Sequence, residues 1–371
     1  MKEELNDMES PLRCYNFSAG PSALPESVLG TMREDLLNWQ DTGTSVMELS
    51  HRSEAFVEMA ARAEQDLREL LGIPAHYKVL FLQGGGTLQF SQIPMNLMHQ
   101  AGPCDYIDTG YWSRKAQTAA ARYGEVNIAA SAEGSGYKAI PPQSAWRPSD
   151  APAYLHYTAN ETIDGLEFHW IPDVGDDCPL VADFSANILS GPLDVARFGL
   201  IYAGAQKNIG PSGLTLVIVR DDLLGRAHAY CPDVMNYQVL AEHQSMYNTP
   251  ATFAWYAAGL VFQWLKSLGG LEAVRARNAR KQDMLYSVID RSGCFINNVV
   301  AADRSHMNVP FHLADPRLEG IFLAGAAERG LLGLKGHRAK GGMRASLYNA
   351  VTEQAVQALT GYMAEFEQHH G

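Results

Sequence analysis

Short unbroken apolar runs alternate with helical patterns through the middle of this chain. Segments 78–82, 179–183, 199–203 and 214–219 read as buried strands. A strand covered on both faces carries a continuous apolar run, whereas a half-exposed one alternates. Apolar residues spaced three and four apart predict helices over 54–71 and 252–268. Strands of this kind separated by helices predict an α/β domain with a mostly parallel central sheet flanked by helices. After Gly269-Gly270 the texture changes. A charged helix over 271–291 leads to strand-like pieces around 307–311, a glycine-rich stretch over 334–346 and a last helix over 352–367. The pattern predicts a large domain over 25–268 and a smaller α+β domain from 14–24 plus 269–371. Residues 1–13 are polar and acidic and are expected to form a loose extension. A length of 371 residues suits two domains, at roughly 150 residues each.

Composition narrows the function classes. Hydrophobic residues make up 46% and charged residues 19%, an ordinary soluble balance. The formal net charge is -12, which argues against a general nucleic-acid or anionic-membrane binder. It leaves room for an anionic substrate, because a few inward arginines make a local positive pocket. The five cysteines are scattered and form no C-x-x-C pair, so neither a disulfide framework nor a zinc site is expected, and no metal is assigned. No apolar leader is visible and no apolar run approaches the ~20 residues of a membrane span, so a cytoplasmic protein with reduced thiols is expected.

Several segments carry candidate chemistry. Lys207 is the only charged residue between Arg197 and Arg220, in a Gly/Ala-rich run after a strand. If such a lysine is desolvated, its pKa falls and its neutral amine becomes available for Schiff-base chemistry; the alternative is a surface loop lysine. Asp183 ends a predicted strand, where α/β sheets present functional groups, and an Asp there also serves as a helix cap. Gly84-Gly85-Gly86-Thr87 precedes a helical pattern over 88–98. A glycine turn at a helix start exposes N–H groups to phosphate, or is simply a turn. It lacks the lysine of a P-loop and the third glycine of a dinucleotide fingerprint, so it suits a compact phosphate. Gln206, Asn248 and Thr249 offer uncharged donors. Trp112 follows a strand-end turn and stacks on a flat ring or packs in a core. Two His-Arg pairs, His51-Arg52 and His337-Arg338, together with Arg344, suit a substrate bearing a carboxylate and a phosphate; beside glycines they are equally read as solvated.

Taken together, these segments resemble the phosphoserine aminotransferase family, class V enzymes of the fold-type I pyridoxal-phosphate-dependent transferases. The resemblance rests on Tyr15-Asn16-Phe17-Ser18-Ala19-Gly20-Pro21, on Gly43-Thr44-Ser45-Val46-Met47-Glu48 with Ser50-His51-Arg52, and on Asn160-Glu161-Thr162-Ile163-Asp164-Gly165. It continues through the run from Tyr202 to Pro211, Asn248-Thr249-Pro250, Lys335-Gly336-His337-Arg338 and Gly341-Gly342-Met343-Arg344-Ala345-Ser346. It implies that Lys207 holds pyridoxal 5'-phosphate covalently and shuttles the proton, and that Asp183 pairs with the ring nitrogen. It further implies that Trp112 stacks on the ring and Thr162 bonds its phenolic oxygen. Gly86, Thr87 and Gln206 would hold the phosphate, with Asn248 and Thr249 from the other subunit of a homodimer whose sites lie at the interface. Arg344 would take the substrate α-carboxylate, and His51, Arg52, His337 and Arg338 its second anion. Two positions depart from the family. Thr87 stands where some members carry arginine, and Ala19, beside the substrate, where many carry serine.

The implied reaction converts 3-phosphohydroxypyruvate and L-glutamate to O-phospho-L-serine and 2-oxoglutarate in two half-reactions with ping-pong kinetics. The resemblance also implies amination of 3-hydroxy-2-oxo-4-phosphonooxybutanoate for pyridoxine. Another class V enzyme of this fold, such as a cysteine desulfurase, needs a catalytic cysteine in a loop, and none is evident. A non-catalytic pyridoxal-phosphate-binding protein would have no reason to keep Lys207, Asp183 and the His-Arg pairs, and a DNA-binding regulator would need a recognition domain for which no chain is spare.

Overall fold

The computed structural model describes residues 13–98 and 102–371; of the extension expected to be loose, residues 1–12 lie outside the described residues. A short strand β1 (Tyr15–Asn16) precedes helices α1 (Glu26–Asp35) and α2 (Glu54–Leu71). The chain then runs through β2 (Tyr77–Leu82), α3 (Gly85–Leu97), β3 (Cys104–Asp108), α4 (Tyr111–Ala120) and β4 (Val126–Ser131). Four further strands follow: β5 (Leu155–Thr158), β6 (Leu180–Asp183), β7 (Leu200–Gly204) and β8 (Thr215–Arg220). Strands β2 to β8 form one seven-stranded sheet in the order β2-β8-β7-β6-β5-β3-β4. Only β8 runs antiparallel to its neighbours.

The apolar runs expected as strands become β2, β6, β7 and β8 within a residue or two. Three strands lay outside that reading, because polar residues interrupt them. Asp105 and Asp108 sit in β3 and His156 in β5, all buried. Each has a partner: Asn127 donates to Asp105, Tyr137 to Asp108, and His156 pairs with Tyr202. Helix α3 starts at Gly85, three residues before the expected pattern, because the glycines themselves make its first turn.

Helices α5 (Tyr237–Glu242), α6 (Thr252–Ser267) and α7 (Gly270–Arg291) follow the sheet. The main core lies between sheet, α2 and α6. Trp255 of α6 is buried there, stacked on Phe81 at 4.4 Å and edge-on to Phe56 at 6.0 Å. A second core gathers around β9 (Phe295–Ile296), β10 (Asn308–Leu313), α8 (Glu319–Glu328), β11 (Leu331–Leu332), β12 (Met343–Ser346) and α9 (Glu353–His370). Strand β1 pairs with β11, which brings Phe17 into this second core. Helix α7 serves both: Leu271 and Val274 join the first core, and Leu285, Tyr286 and Ile289 the second. The two cores therefore meet along one helix and not across a linker. No helix among the described residues is long and apolar enough to cross a membrane.

Trp255 is 2% exposed and anchors sheet to helix layer. Trp255→Ala is expected to cost about 3–5 kcal/mol of unfolding free energy, the range for deleting a large core aromatic. Chemical denaturation checks this; a loss under about 1 kcal/mol would mean that α6 holds the sheet by other contacts.

Candidate active site

Lys207 lies in the turn between β7 and β8. The turn is pinned on three sides. Asn208 donates to the carbonyls of Ala186 and Ile188 and accepts from the backbone of Asn349. Ser22 donates its hydroxyl to the Lys207 carbonyl, and its N–H to that of Gln206. Gly210 closes the turn by bonding Ala205. Lys207 keeps some exposure, yet protein crowds its amine, and this desolvation pushes its pKa down to about 8. Nearby Asp183 opposes that shift and the Arg344 guanidinium reinforces it. The amine donates to Thr162 Oγ1.

Thr162 rides on a tight hairpin closed by the antiparallel Asn160–Glu167 bridge. The hairpin is bound to helix α4 through two carboxylates. Glu161 accepts from the N–H groups of Trp112 and Ser113 at 3.0 and 2.8 Å, and Asp164 from that of Tyr111 at 3.1 Å. These are first-turn donors with no partner inside the helix. No acidic residue lies in the first turn of α4 itself, so the acids that cap it come from distant sequence. Gly110, just before α4, permits this approach: a Cβ there would stand 2.8 Å from the Glu161 carboxyl carbon and collide with Asp164. Burial pushes the Glu161 pKa up to about 7, against the two N–H donors that hold it down.

Asp183 ends β6 and is buried, with one oxygen accepting from the Ser185 N–H at 2.8 Å. Beside it the buried Tyr202 hydroxyl pairs with His156 at 2.9 Å. Burial and Asp183 together raise the Tyr202 pKa far above its usual range, and burial lowers that of His156 to about 3, so both rings are neutral at pH 7. Gly86 faces this group from the start of α3. A Cβ there would meet Ser185 Oγ at 3.3 Å and approach Asp183 Oδ2 to 3.9 Å. Arg344 of β12 reaches across from the second core and donates to the Thr162 carbonyl at 3.2 Å, while its Nε is buried with no partner.

The structure thus gathers Lys207, Asp183, Thr162, Gly86 and Arg344, with Trp112 at the start of α4 and Gln206 under Gly20. Ala19 lies alongside, its carbonyl accepting from Tyr348. His337 stands 5.4 Å from the Tyr111 ring, with a pKa lowered by burial and by Arg344; Arg338 is exposed next to it. Thr87 is exposed in a cleft shared with Tyr111, Arg114 and Lys115. Arg52, Asn248 and Thr249 are exposed and His51 partly so. No described hydrogen bond ties these four to the Lys207 cluster; Thr249 instead accepts from Gln83. Sequence reasoning gave no role to Glu161, Asp164, Ser185, Tyr202 or His156. The available signal was an α4 start with no acid of its own and two carboxylates in one short loop.

A profile of the family described as "Aminotransferase class-V" matches residues 14–359. A phosphoserine aminotransferase of Azotobacter vinelandii is 61% identical over 359 residues, covering 97% of this chain and 99% of that protein. The solved phosphoserine aminotransferase from Bacillus circulans subsp. alkalophilus superposes with a TM-score of 0.95 at 43% identity, covering 97% of this chain and 99% of the other. The pyridoxal-phosphate-bound phosphoserine aminotransferase from Trichomonas vaginalis superposes at 0.90 with 39% identity, covering 95% and 100%.

Glu161 gives this site a pH signature. Its carboxyl rises on folding from an ordinary 4.5 to about 7, mainly by burial. The stability it contributes is therefore complete below pH 4.5 and is lost as pH rises through 7. Wild type should lose stability relative to Glu161→Gln across that window and keep a constant difference above it. Denaturant titrations at several pH values test this; parallel curves for the two proteins would contradict it.

Proposed function

This chain belongs to the class-V aminotransferase family, and we infer that it transfers the amino group of L-glutamate to 3-phosphohydroxypyruvate, giving O-phospho-L-serine and 2-oxoglutarate for serine biosynthesis. It is a pyridoxal-phosphate-dependent transaminase. The observation that carries this reading is a desolvated Lys207 amine beside Asp183, in a chain 61% identical over 97% of its length to a phosphoserine aminotransferase.

The residues fit the cofactor. Gly86 leaves its backbone open toward Ser185 and Asp183, where a Cβ would press on Ser185 Oγ at 3.3 Å. The first turn of α3 offers free N–H groups to a phosphate. Arg344 Nε, a buried donor lacking an acceptor, is left for the substrate and not for the cofactor. In this reading Lys207 would hold the cofactor through its amine, Asp183 would face its ring nitrogen, and Trp112 its ring. Thr162 would meet its phenolic oxygen. Gly86, Thr87 and Gln206 would hold its phosphate. Bound there, pyridoxal phosphate supplies an electron sink for the pair of electrons left at the substrate Cα.

This chain's own groups do the rest. Arg344 binds the α-carboxylate in bidentate fashion and so fixes which bond at Cα stands toward Lys207. The Lys207 amine would be freed when the substrate's own amine takes its place and, neutral for an appreciable fraction near pH 8, would then take the Cα proton as general base. Thr162 holds that amine in line, and Arg344 holds Thr162 by its carbonyl. Tyr202 and His156 keep Asp183 in a buried, polar but uncharged setting. His337 and Arg338, with His51 and Arg52, receive the substrate phosphate or the glutamate side-chain carboxylate. Arg114 and Lys115 flank Thr87 and supply positive charge on that side of the cleft.

A homodimer with sites at the interface follows in the same reading. It is supported by the exposure of Arg52, Asn248 and Thr249, which make no described hydrogen bond to the Lys207 cluster of their own chain. Amination of 3-hydroxy-2-oxo-4-phosphonooxybutanoate extends the reading to pyridoxine synthesis, because that acid presents the same oxo acid and phosphate one carbon further apart. A cytoplasmic location fits both routes.

Lys207→Ala should lower kcat by a factor on the order of 10^4, with the fold retained by circular dichroism, since it removes the proton-transfer group. Near-wild-type turnover in that variant would sink the assignment. The phosphate should also decide the substrate. We expect kcat/KM for unphosphorylated hydroxypyruvate to fall about 10^2- to 10^3-fold, the worth of one or two charge-assisted hydrogen bonds. Equal values for the two acids would remove the proposed anion pocket.

A further inference from the structure

Away from Lys207, the outer end of the Thr162 hairpin holds a cluster that the transamination chemistry does not use. Glu167, His169 and His306 each place one ligand atom within 4.8 Å of the others. The histidine rings stack with centroids 4.3 Å apart.

Each group is oriented. Glu167 is buried, one oxygen accepting from Asn187 Nδ2 at 3.0 Å and the other from the His306 N–H at 2.6 Å. His169 Nε2 lies 2.9 Å from the Arg304 carbonyl. A carbonyl only accepts, so Nε2 is the donor and Nδ1 is the ring nitrogen left for a further ligand. A ring N–H anchored on a backbone carbonyl is the common outer support of a metal-bound histidine. The buried Asn187 Oδ1 has no donor, which a cation-bound water would supply. The cluster opens on a cleft of about 420 Å³ lined also by Trp170 and Arg275, so an ion has a route in and room for water ligands.

We propose that Glu167, His169 and His306 bind one divalent transition-metal ion of the zinc class, completed by water. Two imidazoles and a carboxylate favour zinc, nickel or copper over magnesium or calcium, which prefer all-oxygen shells. The three ligands come from two segments far apart in the chain and meet only in the fold. The ion would tie the hairpin that carries Thr162 to the 304–306 segment, and through Asn187 to the loop after Asp183. It is a clamp behind the site and takes no part in the transfer itself.

The test uses the full-length, cofactor-loaded protein stripped with a chelator, and zinc chloride as probe. Equilibrium dialysis with elemental analysis should find one tight equivalent per chain, and zinc should raise Tm. His169→Gln, on an exposed side chain, and Glu167→Gln should each weaken that equivalent by about tenfold or more and abolish the Tm rise. His369→Gln/His370→Gln, at the end of α9, should leave both unchanged. Circular dichroism of the metal-free variants establishes that they are folded, and His169→Gln decides alone if Glu167→Gln is not. The proposal fails if wild type holds no tight equivalent, or if His169→Gln binds zinc as wild type does.

Discussion

The structure depends on keeping one lysine amine away from water while leaving it room to react. A protein pays several kcal/mol to strip an ammonium of its hydration, and the amine escapes that cost by giving up its proton. At Lys207 this moves the pKa to about 8 and leaves Thr162 as the amine's hydrogen-bond partner. Such a state persists only if the backbone on either side cannot relax toward solvent. The pins from Ser22, from the Ala186 and Ile188 carbonyls and from Asn349 prevent that relaxation, and they come from three separate parts of the chain.

The partner side is equally constrained. Thr162 stays on the amine because its hairpin is fastened to α4 by Glu161 and Asp164 and to β12 by Arg344. The two carboxylates lie where helix α4 presents unpaired N–H groups and a positive end, so helix and hairpin stabilise each other. The same contact orients Trp112. One short loop thus sets the proton-transfer geometry and the position of the aromatic ring together.

Much of this was legible in the residues, and the limits have physical causes. Strands β2, β6, β7 and β8 announce themselves because both faces are covered by apolar contacts. β3 and β5 do not, because Asp105, Asp108 and His156 are buried among partners that only the fold supplies. In the site, Lys207 and Asp183 stand out as lone charges in apolar runs, and Arg344 by its glycine neighbours. Glu161, Tyr202 and Ser185 carry no such contrast, since their significance lies in what faces them through space. Family resemblance supplied Thr162 and the order of the motifs; no local pattern would have singled out that threonine.

Helix α7 runs unbroken from one hydrophobic core into the other. A continuous helix resists bending, because a bend breaks several backbone hydrogen bonds at once. Arg344 belongs to the second core and Lys207 to the first, so any closure over a substrate must change their spacing. With a stiff rod embedded in both bodies, the cheap motion is a small sliding of packed layers past one another, a shear and not a hinge.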